Sequence, residues 1–176
     1  LSSALINKDL PITDFKKISG NKEIHNFKGK EPFIINFFAS WCVPCVEEHK
    51  ILKKYEDSIP IIGIAYKDSE EKIIEFLNRF GNPYEVVYLD PKGKAAIDLG
   101  LYGVPETYYI NKDGKIMYKH VGPVKDVDMK NIILPIVFVI FASSAFAGSC
   151  PMLWGELDSE IKLQKNHYLQ ILLRKE

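Results

Sequence analysis

The chain has 176 residues, a length typical of one domain with room for a sizeable hydrophobic core. Its 23 Lys and Arg residues balance 23 Asp and Glu residues, so the formal net charge is zero and a nucleic-acid partner is not indicated. Three cysteines are too few for a scaffold held together by disulfides. Since the chain begins at Leu1 and not at a methionine, we expect a further N-terminal segment, where a signal or membrane anchor would lie.

Apolar runs and chain breakers predict alternating strands and helices. Within the polar residues 1–30, Asp14-Phe15 and residues 24–27 are candidate short edge strands. The later elements are buried strands at 33–38 and 61–66, helices at 45–58, 69–80 and 95–99, a short strand at 84–88, a turn at 90–93, and strands at 107–111 and 115–121 joined through Asp113-Gly114.

Two of these helices have a predicted apolar face. On the first helix the face consists of Val46, Ile51, Leu52 and Tyr55. On the second, which Ser69 caps and Gly81 ends, the face consists of Ile73, Ile74, Phe76 and Leu77.

The order of the elements predicts the fold class. Parallel strands need helical crossovers, and the last two strands form a hairpin. The order therefore predicts an α/β fold, with a central mixed sheet and helices on both faces.

Cys42 and Cys45 lie where the first buried strand leads into the first helix. A helix N-terminus stabilises a thiolate, which is the nucleophile in disulfide exchange. With Cys45 one turn further on, one sulfur can attack a disulfide and the other can resolve the mixed disulfide. One alternative is half of a zinc site, but Cys150 and His49 do not supply a second ligand pair. The other is a structural disulfide, but a bridge that closes so short a loop constrains the unfolded chain little. The pattern favours a redox pair.

Several motifs together resemble the thioredoxin superfamily. Phe38–Cys45 (FASWCVPC), the order of elements, and a Gly-Val-Pro before a strand are shared by the superfamily as a whole. Three further motifs are more specific: Glu48-His49, Gly63–Asp68 (GIAYKD) and Gly100–Thr107 (GLYGVPET). They resemble those of the membrane-tethered periplasmic thiol:disulfide reductases of cytochrome c biogenesis, the DsbE or CcmG type. The resemblance spans about residues 4–135.

This resemblance implies a thioredoxin-like fold and a thiol:disulfide oxidoreductase that reduces apocytochrome c or its maturation proteins. It implies no metal or organic cofactor beyond a redox-active Cys42–Cys45 disulfide. A membrane thiol electron donor would re-reduce that pair, and a tether would hold the protein on the periplasmic side of the inner membrane. The alternatives are a general extracytoplasmic thioredoxin-like reductase or oxidant, and a non-catalytic module that binds apocytochrome.

The family pattern also assigns roles to single residues. Cys42 would be the exposed attacking sulfur and Cys45 the more buried resolving one. Pro105 matches a cis-proline that faces the cysteines, and its missing N–H would leave space for substrate backbone to pair with Val104. Trp41 would cover the edge of the site. The structural alternatives are an ordinary trans proline in a turn and a core tryptophan.

Glu48 is the candidate proton acceptor. Asn36 lies where thioredoxins proper carry a buried Asp, and an amide cannot accept the proton. Glu48 follows Cys45 by three residues and Cys42 by six, which places it on the same side of the helix as the sulfurs. A partly buried carboxylate can take the proton of the resolving thiol; the alternative is an exposed charge, as expected for Glu47.

The remaining candidates are weaker. Glu106 is expected to line an acidic surface of the site and to contact substrate. His49 is expected to pack or to form a hydrogen bond instead of taking part in catalysis. Tyr66, Lys67 and Asp68 form a charged strand end that can occur by chance.

The C-terminal part has an unusual composition, because residues 131–155 contain no charge. Segment 129–148 has a basic start, an apolar middle and an Ala-Phe-Ala end, the layout of a secretory signal peptide. Three interpretations are open. The segment is a second reading frame fused to the first, or it is a membrane-associated helix, although its apolar part is shorter than the roughly 20 residues that span a bilayer. The third interpretation, which applies to residues 126–135, is a buried core helix. We therefore predict a redox domain at 1–128 whose last helix runs to about 135, the apolar segment 129–148, and an amphipathic helical tail at 149–176.

Overall fold

The computed structural model describes residues 5–11, 15–24 and 29–133. The chain divides into two units, Leu1–Pro135 and Ile136–Glu176, and every described residue belongs to the first. The apolar segment beyond residue 133, the amphipathic tail, Cys150 and residues 25–27 of a candidate edge strand lie outside the described residues. Among the described residues, no helix combines the length and the apolar character needed to cross a bilayer.

The described residues form six strands and four helices. They are β1 (Lys16–Ser19), β2 (Phe33–Phe38), α1 (Val43–Tyr55), β3 (Ile61–Tyr66), α2 (Glu70–Phe80), β4 (Val86–Asp90), α3 (Lys94–Asp98), β5 (Glu106–Ile110), β6 (Ile116–Val121) and α4 (residues 126–133).

The order of elements is confirmed, and several boundaries move. The first helix begins at Val43, two residues before its predicted start, because Cys42 is its N-cap and Pro44 suits the first turn. The strand predicted at 84–88 lies at Val86–Asp90, and the Tyr84 hydroxyl just before it donates to Asn36 Oδ1 in the core. The N-terminal edge strand lies at Lys16–Ser19, after its predicted position.

One mixed sheet organises these elements in the order β1-β4-β3-β2-β5-β6. Strands β2, β3 and β4 are parallel, whereas β5, β6 and β1 pair antiparallel with their neighbours. The central strand β2 is buried along its whole length, as its continuous apolar run predicts. The predicted mixed sheet is therefore confirmed.

The two faces of β2 lead to two different layers, because successive side chains alternate across a sheet. Phe33, Ile35 and Phe37 belong to a core cluster that includes Ala95 and Ala96 of α3. On the opposite face, Asn36 bonds to Glu48 of α1 and Phe38 packs on Phe76 of α2. Helices therefore cover both faces of the sheet, as predicted.

The buried face of α1 differs from the predicted one. It is formed by Cys45, Glu48, His49 and Leu52, spaced as one helical stripe. Of the predicted apolar residues only Leu52 is fully buried, while Val46, Ile51 and Tyr55 are partly exposed. Apolar periodicity was misleading here because two polar side chains occupy the inner stripe. On α2, Ile74 is 44% exposed and the predicted core position is wrong.

Gly63 lets an aromatic side chain approach the sheet closely. A Cβ at this position would lie 2.9 Å from the Tyr84 ring and 3.0 Å from the Phe38 ring. These two rings stack with centroids 4.8 Å apart, and Tyr84 donates to Asn36 of β2. The absence of a side chain at Gly63 thus sets the position of Tyr84 beneath α1.

We expect Gly63→Ala to lower the free energy of unfolding by about 1–3 kcal/mol, since the added methyl group must displace packed rings. Chemical denaturation of the oxidised protein measures this change. Gly103→Ala is the matched control, because its Cβ would meet no described atom within 4 Å. Equal stability of the two variants would contradict the close-packing interpretation of Gly63.

Candidate active site

Cys42 and Cys45 are joined by a disulfide at the N-terminus of α1, with an S–S distance of 2.02 Å. The backbone N–H of Cys45 donates to Cys42 Sγ at 3.2 Å. A sulfur at this position accepts a backbone hydrogen bond and lies at the positive end of the helix dipole, and both favour a thiolate.

Both cysteines are buried in this oxidised form: Cys42 is 4% exposed and Cys45 is 1% exposed. Cys45 is the more buried of the two, as predicted. The predicted exposure of Cys42 is wrong for this oxidised form, because both cysteines pack inward.

The loop before the disulfide is fixed by hydrogen bonds to the end of β3. The Ser40 N–H donates to Asp68 Oδ2 at 2.7 Å, and Trp41 Nε1 donates to the Lys67 carbonyl at 3.4 Å. Trp41 is 56% exposed, so it is not a core residue and its ring is available beside the disulfide. Its proposed contact with substrate remains a prediction.

Pro105 lies at the same end of the sheet as the cysteines. Strands β2 and β5 are antiparallel with Phe37 opposite Glu106, so the chain leaves β2 toward Cys42 beside the point where Pro105 leads into β5. The Val104–Pro105 peptide bond is cis, as the resemblance implies. The Pro105 carbonyl accepts from the Gly122 N–H at 3.0 Å.

Glu48 is buried between α1 and the sheet, with 1% of its surface exposed. Its Oε2 accepts from Asn36 Nδ2 at 2.9 Å, and its Oε1 accepts from the Val124 N–H at 3.0 Å and from Thr107 Oγ1 at 3.4 Å. Burial raises the pKa of Glu48 to about 7, although these three donors oppose the shift. The alternative of an exposed helix charge is therefore wrong for Glu48, and its carboxyl group can gain or lose a proton near neutral pH.

The Asn36 amide orients this carboxylate. Its Nδ2 donates to Glu48 and also lies 3.0 Å from Thr107 Oγ1, while its Oδ1 accepts from the Tyr84 hydroxyl at 2.8 Å. Because that oxygen faces a hydroxyl donor, the amide nitrogen must point toward Glu48. Asn36 thus stabilises the Glu48 carboxylate.

A cleft between α1 and the segment after β6 includes Glu48 in its lining. Its lining includes Glu47, Glu48 and Ile51 of α1, and Val124 and Val127 opposite them. The cleft is therefore lined in part by the residue whose carboxyl pKa is raised.

His49 is part of the packing, as expected. Its Nε2 lies 2.6 Å from the Gly81 carbonyl, so this nitrogen carries the proton and donates it. The ring contacts Phe76 edge-on, with centroids 5.1 Å apart. Burial lowers the pKa of His49, which keeps the imidazole neutral.

The expectation that Glu106 lines an acidic surface is wrong, because its side chain is completely buried. Its Oε1 accepts from the Tyr102 N–H at 2.7 Å and the Gly103 N–H at 3.3 Å. Its Oε2 lies 3.0 Å from Lys119 Nζ. Glu106 therefore holds the loop before Pro105 from inside instead of meeting substrate.

Sequence reasoning missed four participants in these networks: Tyr84, Thr107, Lys119 and Val124. Thr107 was visible only as the last residue of a family motif, and the other three have no distinguishing local pattern. Each reaches the site through a contact between residues distant in the chain. Among the described residues, no group of three or more His, Cys, Asp or Glu side chains is placed to hold a metal ion.

Comparison with known families agrees with this geometry. The profile of the Redoxin family matches residues 8–133, most of the chain. The chain belongs to this family. It is 38% identical over 139 residues to the thiol:disulfide interchange protein DsbE of Haemophilus influenzae, a match that covers 77% of each protein. It is 45% identical over 104 residues to the thiol:disulfide interchange protein CycY of Rhizobium leguminosarum bv. viciae, covering 58% of this chain and 56% of that relative.

Solved structures show the same fold. A crystal structure from Chlorobium tepidum, described as a thiol:disulfide interchange protein DsbE, superposes with a TM-score of 0.61 at 21% identity, covering 76% of this chain and 96% of that one. A secreted thiol-disulfide isomerase from Corynebacterium glutamicum gives a TM-score of 0.63 at 22% identity, covering 73% and 85%. The predicted thioredoxin-like fold is confirmed, and the Redoxin-family chain is a thiol:disulfide oxidoreductase.

The raised pKa of Glu48 makes stability depend on pH. Between pH 4.5 and about 7 the unfolded chain ionises this group while the folded protein keeps it protonated. The stabilisation is complete below pH 4.5 and is lost as the pH rises through about 7. We expect the unfolding free energy of the wild type, relative to Glu48→Gln, to fall by on the order of 3 kcal/mol over this range.

Denaturant titrations of both oxidised proteins at several pH values measure this difference. Glu47→Gln is the matched control, because Glu47 precedes Glu48 on α1 but its side chain is 72% exposed. The control should follow the wild-type pH dependence. A stability difference between wild type and Glu48→Gln that stays constant from pH 4 to 8 would show that Glu48 has an ordinary pKa.

Proposed function

We propose that this protein reduces the disulfides of apocytochrome c, or of its maturation partners, during cytochrome c assembly. The observation that carries the proposal is the Cys42–Cys45 disulfide with Glu48 buried one helical turn behind it, in a chain that matches DsbE of Haemophilus influenzae over 77% of its length. The GLYGVPET motif at Gly100–Thr107, which resembles the box of the cytochrome c biogenesis branch, supports the choice of substrate.

The first step is attack by Cys42. In the reduced protein its thiolate, stabilised at the start of α1, attacks one sulfur of the substrate disulfide. A bond forms between Cys42 Sγ and that sulfur, the substrate disulfide breaks, and the other substrate sulfur leaves as a thiolate that takes up a proton. The product of this step is a mixed disulfide between protein and substrate.

Cys45 then resolves the mixed disulfide. Its thiol gives a proton to the ionised Glu48 carboxylate, and the resulting thiolate attacks Cys42 Sγ. The substrate sulfur still bound to Cys42 leaves as a thiolate and takes up a proton from water, and Glu48 later releases its own proton to water. The substrate has then gained two electrons and two protons, and the protein holds the Cys42–Cys45 disulfide. A pKa of about 7 leaves a substantial fraction of Glu48 ionised at neutral pH and able to accept this proton.

The substrate chemistry agrees with an extended peptide beside Pro105. The haem-attachment sequence of a c-type cytochrome is Cys-x-x-Cys-His, whose two cysteines can form a disulfide. Such a segment would pair with the backbone of Val104, because the proline that follows has no N–H to obstruct it. The exposed Trp41 ring would cover the other side of the peptide.

The proposal places the protein in the periplasm, held to the inner membrane by a tether. Haem is attached to apocytochrome c outside the cytoplasm, where thiols tend to be oxidised, so a dedicated reductase is needed there. Each turnover leaves a disulfide on the protein. The cycle therefore needs a dithiol donor, which in this proposal is a membrane thiol protein facing the same compartment.

Single cysteine variants test the chemistry of this reaction. Reduced wild type should reduce an oxidised Cys-x-x-Cys-His peptide at least about tenfold more efficiently than insulin, as kcat/KM, because binding beside Pro105 adds to reactivity. Cys42→Ser should abolish reduction of both substrates, since it removes the attacking sulfur. Cys45→Ser should accumulate one equivalent of mixed disulfide with the peptide, detectable by mass spectrometry. Cys150→Ser is the matched control and should keep the wild-type rate.

Four results would argue against the proposal. If Cys42→Ser kept the wild-type turnover, the assignment of Cys42 and Cys45 as the redox pair would be wrong. Equal efficiency on insulin and on the peptide would favour a general reductase, and a strongly oxidising potential of the Cys42–Cys45 pair would favour an oxidant. Cytochrome maturation supported in cells by Cys42→Ser/Cys45→Ser would favour a non-catalytic binding module.

A further inference from the structure

Lys119 is a buried lysine on the edge strand β6. Its side chain is 4% exposed, and its Nζ lies 3.0 Å from Oε2 of the completely buried Glu106. Lysine is almost never buried to this extent unless it is paired, because removing an ammonium group from water is costly. The cysteine chemistry described above does not use this ion pair, so its position calls for another explanation.

Two other contacts of Lys119 are with a single loop, residues 100–105. Its Nζ donates to the Gly100 carbonyl at 2.6 Å and lies 4.3 Å from the centre of the Tyr102 ring. The Tyr108 ring is 5.3 Å away on β5. The ammonium group thus contacts the backbone at one end of the loop 100–105 and an aromatic side chain in its middle.

Glu106 completes the attachment of the same loop. Its Oε1 accepts from the Tyr102 and Gly103 N–H groups, while its Oε2 faces Lys119. The Tyr108 hydroxyl lies 3.0 Å from Oε2 and 3.0 Å from the Leu99 carbonyl. The Lys119–Glu106 ion pair and the Tyr108 hydroxyl beside it therefore hold the backbone from residue 99 to 103, directly before the Val104–Pro105 bond.

We infer that Lys119 is a positioning residue of the substrate groove. Through Glu106 and the Gly100 carbonyl it fixes the loop that presents Val104 and Pro105 to an extended peptide. The inference rests on the proposed binding of substrate beside Pro105 and adds the residue that preorganises that surface. Lys119 is not catalytic, because it acts only through the loop.

The physical reason is the cost of ordering a binding surface. Without the ammonium group, Glu106 becomes an uncompensated buried charge and must take up a proton or admit water. Either change weakens the hydrogen bonds from Tyr102 and Gly103 and frees the loop. Substrate binding then has to order the loop again, which raises KM. The described hydrogen bonds of Cys42, Cys45 and Glu48 do not include Lys119, so the thiol chemistry should not change.

The test compares Lys119→Met with Lys115→Met in the full chain. Lys115 is the matched control, because it lies in the same hairpin near the other end of β6 and is 45% exposed. For reduction of insulin and of the oxidised Cys-x-x-Cys-His peptide, we expect Lys119→Met to raise KM about tenfold with kcat changed less than about threefold. The equilibrium constant of the Cys42–Cys45 pair with glutathione and the rate with a small aromatic disulfide should stay within about twofold of wild type. The control should match the wild type in every assay.

A second variant protects the test against loss of folding. Lys119→Met/Glu106→Gln has no uncompensated buried charge, and it should fold and also show the raised KM, because it lacks the ammonium contact with Gly100. An unchanged KM in this folded variant overturns the inference. An equal loss of rate with the small disulfide overturns it as well, since Lys119 would then act on the thiols. The insulin series separates the two proposals: a raised KM for insulin without any preference for the peptide supports the role of Lys119 and contradicts the proposed substrate.

Discussion

The burial of the Glu48 carboxyl group against the amide of Asn36 connects the fold of this protein to its chemistry. A carboxylate removed from water must find hydrogen-bond donors, and Glu48 finds them on β2, on β5 and at the backbone of Val124. These donors are neutral, so they compensate for burial only in part and the pKa remains raised at about 7. The same contacts that hold α1 on the sheet thus produce a group able to exchange a proton at neutral pH.

A second buried carboxylate shows how different partners give a different function. Glu106 is as deeply buried as Glu48, yet it faces the ammonium group of Lys119 and the backbone N–H groups of the loop before Pro105. The Lys119 cation and these N–H groups hold Glu106 as a structural contact of the loop. Glu48 has no such cation among its described partners and is better suited to proton transfer. One end of the sheet therefore carries a carboxyl group with a raised pKa near the cysteines and an ion-paired carboxylate beside the loop of the cis-proline.

The order of the elements brings these two carboxylates to the same place. Because β2 and β5 are antiparallel neighbours, the chain segment that leads to Cys42 and the one that leads from Pro105 meet at one sheet end. The close approach that Gly63 allows brings Tyr84 to the other side of Asn36 and fixes the orientation of its amide. The site is therefore stabilised by the sheet and by the aromatic layer beneath α1, as well as by the active-site loops.

Sequence alone determined the local features: the buried run of β2, the change from strand to helix around the two cysteines, the cap at Ser69 and the hairpin at Asp113-Gly114. These depend on neighbouring residues, and so does the motif that identified the redox pair. Only the tertiary structure decided which partners surround Glu48, since its donors lie 12, 59 and 76 residues away. The tertiary structure also buried Glu106 beside Lys119, whereas the sequence analysis expected Glu106 to line an acidic surface. Strand register sets such contacts, and a pattern of apolar residues does not reveal where a buried charge finds its compensation.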